Sequence, residues 1–337
     1  MNVEDLHKRL TSAMAGRYLS SKDVTGIDPL SRTDIELIMD CTRVFKLEFI
    51  PSGEKKLPLL QGRSIINFFF EPSTRTRTSF ELAGKALGAD TINISADSSS
   101  MNKKNETLND TARTLNAMHA DCITLRHSSA GTPMMIARMI KAAVINAGDG
   151  MHEHPTQALL DLYTIIEKRG RAEGLDVVIV GDILHSRVAG SLIRILRKFN
   201  ANIRLAAPPT MLPAYVERFG VKTYHDFDEA IAGADVVYAL RVQLERSAAA
   251  FIPTLREYSK RFCVNMARLR QAAEDAIVMH PGPINREVDL SSEVMESRQS
   301  VVEEQVTNGL AVRLALLSLL IRPREDLAKQ TRLTGRG

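Results

Sequence analysis

Short apolar runs, separated by longer stretches of mixed character, recur along the whole chain. Ile65-Ile66-Asn67-Phe68-Phe69-Phe70 is apolar at every position but one. A run that short, without alternation, reads as a strand covered on both faces. A polar turn follows, then a helix from Ser79 to Leu87 stopped by Gly88. Thr91–Ile94, Cys122–Leu125 and Ala143–Ile145 predict further strands. A second series comprises Val177–Val180, Asn202–Ala206, Val236–Tyr238 and Ala276–Met279. Between the two series His154-Pro155-Thr156 opens a long helix carrying Leu159, Leu160, Leu162 and Ile166. Proline suits a helix start because its missing N–H would lack a helical partner there anyway. Leu310–Ile321 is apolar on most faces and predicts a helix buried against an earlier element.

Strands alternating with helices make parallel sheets. The expectation is an α/β protein of two domains, each a central parallel sheet flanked by helices. The first domain covers residues 1–153 and is completed by a C-terminal helix, 305–322; the second covers 154–304. Residues 323–337 are charged, end in Thr-Gly-Arg-Gly, and read as a tail. A length of 337 residues fits two domains.

Composition narrows the class. An apolar fraction of 44% and a charged fraction of 25% are ordinary for a soluble globular protein. The net charge of +4, from 44 basic and 40 acidic residues, is too dispersed for a nucleic-acid footprint. Cys41, Cys122 and Cys263 are far apart and never form a Cys-x-x-Cys pair, so they read as free thiols of a reducing compartment, the cytoplasm. The acidic, polar N-terminus does not look like a signal peptide, and the apolar stretch Leu314–Ile321 is too short to span a bilayer. Neither a membrane nor a metal or organic cofactor is expected.

The candidate chemistry is concentrated after the first strand. Ser73-Thr74-Arg75-Thr76-Arg77-Thr78 places hydroxyls and guanidinium groups at a strand-to-helix turn, where helix N–H groups also point outward. These donors together describe an anion site, most simply for phosphate. The spacing is not that of a Walker loop. Gly181-Asp182, after the Val177–Val180 strand, lacks the second and third glycines of a dinucleotide fold; the following residues run Ile183-Leu184-His185-Ser186-Arg187. That loop reads instead as a crossover presenting Arg187 to a ligand carboxylate. Arg241 and Gln243 lie just beyond another strand.

Phe70-Glu71-Pro72-Ser73-Thr74-Arg75-Thr76-Arg77 resembles the phosphate loop of the aspartate and ornithine carbamoyltransferases. The resemblance runs from about Leu30 to Leu320, through Asn146-Ala147-Gly148-Asp149-Gly150, His154-Pro155-Thr156-Gln157, Gly181–Arg187, Arg241-Val242-Gln243 and His280-Pro281-Gly282-Pro283. It implies that Ser73, Thr74, Arg75 and Thr76 hold the phosphate of carbamoyl phosphate, and that Thr76, Arg126 and His154 polarise the carbamoyl oxygen. Gln157 and the Pro281 carbonyl would hold the carbamoyl NH2. Arg187 would take the α-carboxylate of L-aspartate, and Arg241 with Gln243 its side-chain carboxylate, beside Gly282 and Pro283. A cis bond between Gly282 and Pro283 is also implied, as is an active site in the cleft between the two domains. In the family the loop matching Ser98–Thr107 enters a neighbouring subunit, so Ser100 and Lys104 would complete the neighbour's site in a homotrimer. Asn105 stands where glycine is usual, which implies a stiffer loop. Regulatory chains or a dihydroorotase are admitted as further partners.

Two alternatives bear on the acceptor and on activity. The ornithine branch carries His-Cys-Leu-Pro where this chain has His280-Pro281-Gly282-Pro283, and its acceptor ammonium would face Arg241. An inactive assembly homologue would have lost anion-binding residues that are present here. The expected reaction is therefore carbamoyl transfer to aspartate, an early step of de novo pyrimidine biosynthesis.

Overall fold

A computed structural model describes residues 3–14, 16–95, 107–243 and 254–321. The chain divides into two units: Met1–Gly150 with Asn308–Gly337, and Met151–Thr307. In the first, strands β1 (Ser64–Phe69), β2 (Asp90–Ser95), β3 (Cys122–His127) and β4 (Ala143–Asp149) form a parallel sheet in the order β2-β1-β3-β4. Ile66, Phe68, Ile123, Leu125 and Val144 share a core with Ala112 and Leu115 of the helix Leu108–Ala117 and Ile136 of the helix Thr132–Met139. Ile65 and Phe69 are buried on the opposite face, as the unalternating apolar run required. Val24 runs parallel to the β4 edge, its N–H donating to the Val144 carbonyl at 2.8 Å while the Asn146 N–H donates to its own at 2.9 Å. An edge so covered cannot recruit another strand.

The second unit is a five-stranded parallel sheet, β7-β6-β5-β8-β9, formed by β5 (Asp176–Val180), β6 (Asn202–Ala206), β7 (Lys222–Tyr224), β8 (Val236–Ala239) and β9 (Ile277–Met279). Between β5 and β6 the helix Arg187–Lys198 buries Ala189, Leu192, Ile193 and Leu196 along one face, the spacing of an amphipathic helix. Arg197 and Lys198 fall in its last turn, where positive charge meets the negative end of the helix dipole.

Two boundaries differ from the sequence expectation. The helix after β1 begins at Thr74, not Ser79, and ends at Ala86. Its first turn holds only hydroxyls and arginines, and the first fully buried apolar residue is Phe80, so no apolar stripe marks the true start. The C-terminal helix spans Val302–Leu320, beginning three residues before the expected start at 305 and well before the apolar run from Leu310. Within the first unit it packs back on an earlier helix: Arg313 lies 5.2 Å from the Phe80 ring centroid and donates to Ser79 Oγ at 3.1 Å. β7 carries no apolar run and was not expected. Among the described residues no helix is long and apolar enough to cross a membrane. The expected tail, residues 323–337, lies outside them.

Candidate active site

Strand order decides where each unit can bind. From β1 the chain moves to β2 on one side and then to β3 on the other, so neighbouring connections leave β1 and β3 in opposite directions. The second sheet does the same at β5, with β6 on one side and β8 on the other. Such switch points open a crevice at the strands' carboxyl ends.

In the first unit, Ser73 caps the helix Thr74–Ala86, with Phe69 and Arg126 aligned across β1 and β3. The first intrahelical bond runs from the Arg77 N–H to the Ser73 carbonyl, which leaves the Thr74, Arg75 and Thr76 N–H groups without helical partners. Ser73 makes no side-chain capping bond, and no acidic residue occupies the first turn. An anion there would meet those N–H groups, the positive end of the helix and the exposed Arg75. Thr76 is buried. Arg126, at the end of β3, donates to Ser73 Oγ at 3.3 Å and to the Ala147 carbonyl at 3.4 Å, and its Nε lies 3.4 Å from Glu71 Oε2. Ser73, Thr74, Arg75, Thr76 and Arg126 therefore belong to one locality. Asn146–Gly150, part of the family pattern, is its scaffold. Asn146 donates to Asp149 at 2.9 Å, and Asp149 accepts the Gly131 N–H at 2.7 Å. At Gly150, with φ of +52°, a Cβ would lie 2.7 Å from the Ser128 carbonyl oxygen.

The second unit gathers the remaining expected residues that are described. His154 stands at the N-cap of the helix Pro155–Arg169, but its ring makes no capping bond. Its backbone N–H donates to Ser191 Oγ at 2.7 Å, and Ser191 donates to Glu153 at 3.1 Å. Thr156 Oγ1 is 3.4 Å from His154 Nδ1. A neutral ring accepting there carries its proton on Nε2, the form that donates. One turn along, Gln157 Nε2 donates to Asp161 Oδ1 at 3.0 Å.

Arg187 follows β5 and Arg241 and Gln243 follow β8, at the two sides of the switch point. Asp182, wholly buried, ties these loops together. Its Oδ1 pairs with His185 Nδ1 at 2.8 Å and accepts the His185 N–H at 3.2 Å, while Oδ2 accepts the Gln243 N–H at 3.2 Å. Pro281, Gly282 and Pro283 follow β9, and the Gly282–Pro283 bond is cis, as the resemblance implied. The Gly282 N–H donates to His280 Nδ1 at 2.8 Å, leaving Nε2 to face Asp289 Oδ2 at 3.3 Å. Ser100 and Lys104 lie outside the described residues.

Glu71, Asp161, Asp182 and Gln305 join this chemistry beyond the expected site residues; Gln305 Nε2 donates to Asp161 Oδ1 at 2.7 Å. Asp182 lay inside a recognisable motif, and its strand-end position was the available signal. Asp161 and Gln305 carried none, because what identifies them is a partner distant in sequence.

Comparison with known proteins accords with this geometry. Residues 22–167 match the aspartate/ornithine carbamoyltransferase carbamoyl-P binding domain, and residues 173–320 match the Asp/Orn binding domain of the same family. The aspartate carbamoyltransferase catalytic subunit of Ruminiclostridium cellulolyticum is 53% identical over 304 residues, covering 90% of this chain and 96% of the relative. Among solved structures, aspartate transcarbamoylase from Trypanosoma cruzi in complex with N-(phosphonacetyl)-L-aspartic acid aligns with a TM-score of 0.79 at 33% identity, covering 88% of this chain and 95% of that one. Ornithine carbamoyltransferase from Pyrococcus furiosus aligns with the same TM-score at 30% identity, covering 91% and 98%. The chain belongs to the aspartate/ornithine carbamoyltransferase family. Backbone similarity is equal for the two branches, so the choice between them falls to sequence identity and to the site residues.

Proposed function

We propose that the protein is an aspartate carbamoyltransferase, joining carbamoyl phosphate and L-aspartate to give N-carbamoyl-L-aspartate and phosphate. The observation that carries this is the second unit's switch point. Arg187 on one side and Arg241 with Gln243 on the other offer cationic forks for two carboxylates, and His280-Pro281-Gly282-Pro283 offers no thiol.

The neutral amine of aspartate attacks the carbamoyl carbon. Its lone pair forms the new C–N bond while the C=O electrons move onto oxygen. Thr76, Arg126 and His154 donate to that oxygen, and fixed donors aimed at developing charge lower the barrier. Gln157 and the Pro281 carbonyl accept from the carbamoyl NH2. As the oxyanion collapses, the C–O bond to phosphate breaks and the amine's proton passes to the departing phosphate, which leaves as hydrogen phosphate. The departing dianion is held by Ser73, Thr74, Arg75 and Thr76. No protein nucleophile is needed, because carbamoyl phosphate arrives activated.

The working form is a cytoplasmic homotrimer in which Ser100 and Lys104 serve a neighbouring subunit's site. Two features support this. In the first unit Leu82, 53% exposed, and Ile92, 51% exposed on the edge strand β2, are large apolar side chains that a second copy would cover. Cys41, Cys122 and Cys263 are buried free thiols, fitting a reducing compartment. Purified protein given carbamoyl phosphate should yield carbamoyl-aspartate with aspartate and no citrulline with ornithine. Citrulline as the main product overturns the proposal.

A further inference from the structure

In the proposed reaction Gln157 accepts a hydrogen bond from the carbamoyl NH2, yet a glutamine amide has one accepting and one donating end of nearly equal shape. Something must choose between them. On the helix Pro155–Arg169, Gln157 and Asp161 are one turn apart and share a face. Asp161 has no exposed surface, and both its oxygens accept: Oδ1 from Gln157 Nε2 at 3.0 Å and from Gln305 Nε2 at 2.7 Å, and Oδ2 from Tyr238 OH at 2.7 Å.

The orientation can be traced to a group that cannot turn over. The backbone N–H of His280 donates to Gln305 Oε1 at 2.9 Å. That bond commits the other end of the Gln305 amide, its NH2, to Asp161. Tyr238, at the opposite oxygen, is buried in β8. Burial, then the nearby Asp161 charge, push the phenol pKa well above its ordinary value, so it remains a donor. Asp161 is thus held as an acceptor on every side described here. Gln157 can meet it only with Nε2, which leaves Oε1 as the amide's free end; among the described residues Oε1 takes no donor. A reversed amide would set oxygen against carboxylate.

We infer that Asp161, fixed by Tyr238 and Gln305, is a positioning residue that selects carbamoyl phosphate over acyl phosphates by holding Gln157 with its carbonyl oxygen toward the substrate. This rests on the proposed function. The same network restrains the backbone at His280, directly before Pro281, so both acceptors assigned to the NH2 share one set of hydrogen bonds. An acyl phosphate bearing a methyl group in place of NH2 has nothing to offer them, and buried acceptors left unpaired penalise such an analogue.

The test compares wild type, Asp161→Asn and Tyr238→Phe. For each, kcat/KM for carbamoyl phosphate is measured beside the inhibition constant of acetyl phosphate. Asparagine removes the charge and leaves one accepting oxygen for the three donors of Gln157, Gln305 and Tyr238, so Gln157 Nε2 is held far more weakly and that side chain can reverse. Asp161→Asn should lower kcat/KM for carbamoyl phosphate by about 10- to 100-fold, the loss expected for one oriented buried hydrogen bond. Acetyl phosphate inhibition should change by less than about 3-fold on the same argument, as should competition by inorganic phosphate. Tyr238→Phe preserves core shape and should shift the preference the same way by about 3- to 10-fold, covering the case in which Asp161→Asn does not fold. A purely structural role would weaken both ligands equally. An unchanged preference in a folded variant of an active enzyme overturns the Asp161 proposal alone. A wild-type protein that makes no carbamoyl-aspartate overturns instead the reaction on which it rests.

Discussion

Replacing Asp182 with asparagine exchanges one oxygen for an NH2 group in a side chain with no exposed surface. The carboxylate receives the N–H groups of His185 and Gln243, both at 3.2 Å, on different oxygens. An amide has one accepting end, so whichever way it turns, one of these buried backbone N–H groups meets another donor. An unsatisfied buried donor costs about 1–3 kcal/mol, and the hydrogen bonds that remain lose the strength that ionisation gave them. A loss of roughly 2–4 kcal/mol follows. For a folding unit of 150–250 residues, each kcal/mol moves the midpoint by about 2–4 °C, so Asp182→Asn should melt about 5–15 °C below wild type. The loops freed from each other are those bearing Arg187 and Gln243, so KM for aspartate should rise by about 10-fold or more, as expected when a positioning hydrogen bond worth over about 1.4 kcal/mol is lost. Affinity for carbamoyl phosphate, whose phosphate donors belong to the other unit, should stay within about 2-fold. Scanning calorimetry and steady-state kinetics with each substrate varied supply the readouts. A melt within about 1 °C of wild type and an unchanged KM for aspartate would refute the claim that Asp182 holds the two loops together.

Other perturbations probe the first unit and the assembly. Arg75 is exposed, so Arg75→Ala should leave the melting temperature within about 2 °C while removing most turnover at low carbamoyl phosphate. Subunit exchange with an equally inactive Lys104→Ala protein should restore part of the activity, and exchange without recovery would show that sites are not shared. Burial alone would raise the Asp34 pKa, but hydrogen bonds from Ser20 and Ser31 outweigh it and lower the carboxyl below its ordinary 3.8. A depressed native pKa contributes stability above pH 3.8 that disappears as pH falls through the lowered value. The stability gap between wild type and Asp34→Asn, measured by urea titration, should therefore be widest near neutrality and close below about pH 4; a gap independent of pH would contradict it.

Several features were legible in the amino-acid sequence. Ile65–Phe70 and Val177–Val180 read as strands because a parallel strand buried on both faces must be apolar almost throughout. Ser73–Thr76 read as an anion site because hydroxyls and guanidiniums crowded at a strand-to-helix turn have few other uses. The missing glycines after Gly181 excluded a dinucleotide loop without reference to any structure. Periodicity did not mark the start of the helix at Thr74, since its first turn presents donors outward and buries little apolar surface.

Strand order was settled only in three dimensions. It makes β1 beside β3, and β5 beside β8, the switch points at which the candidate residues gather. The same holds for the partners that orient them. Gln305 reaches Asp161 across 144 positions, and Gln243 reaches Asp182 across 61. Burial leaves a periodic trace in sequence because it repeats with the geometry of each helix or strand. A single hydrogen bond between distant segments repeats with nothing, and becomes visible only when the folded backbone brings its two ends together.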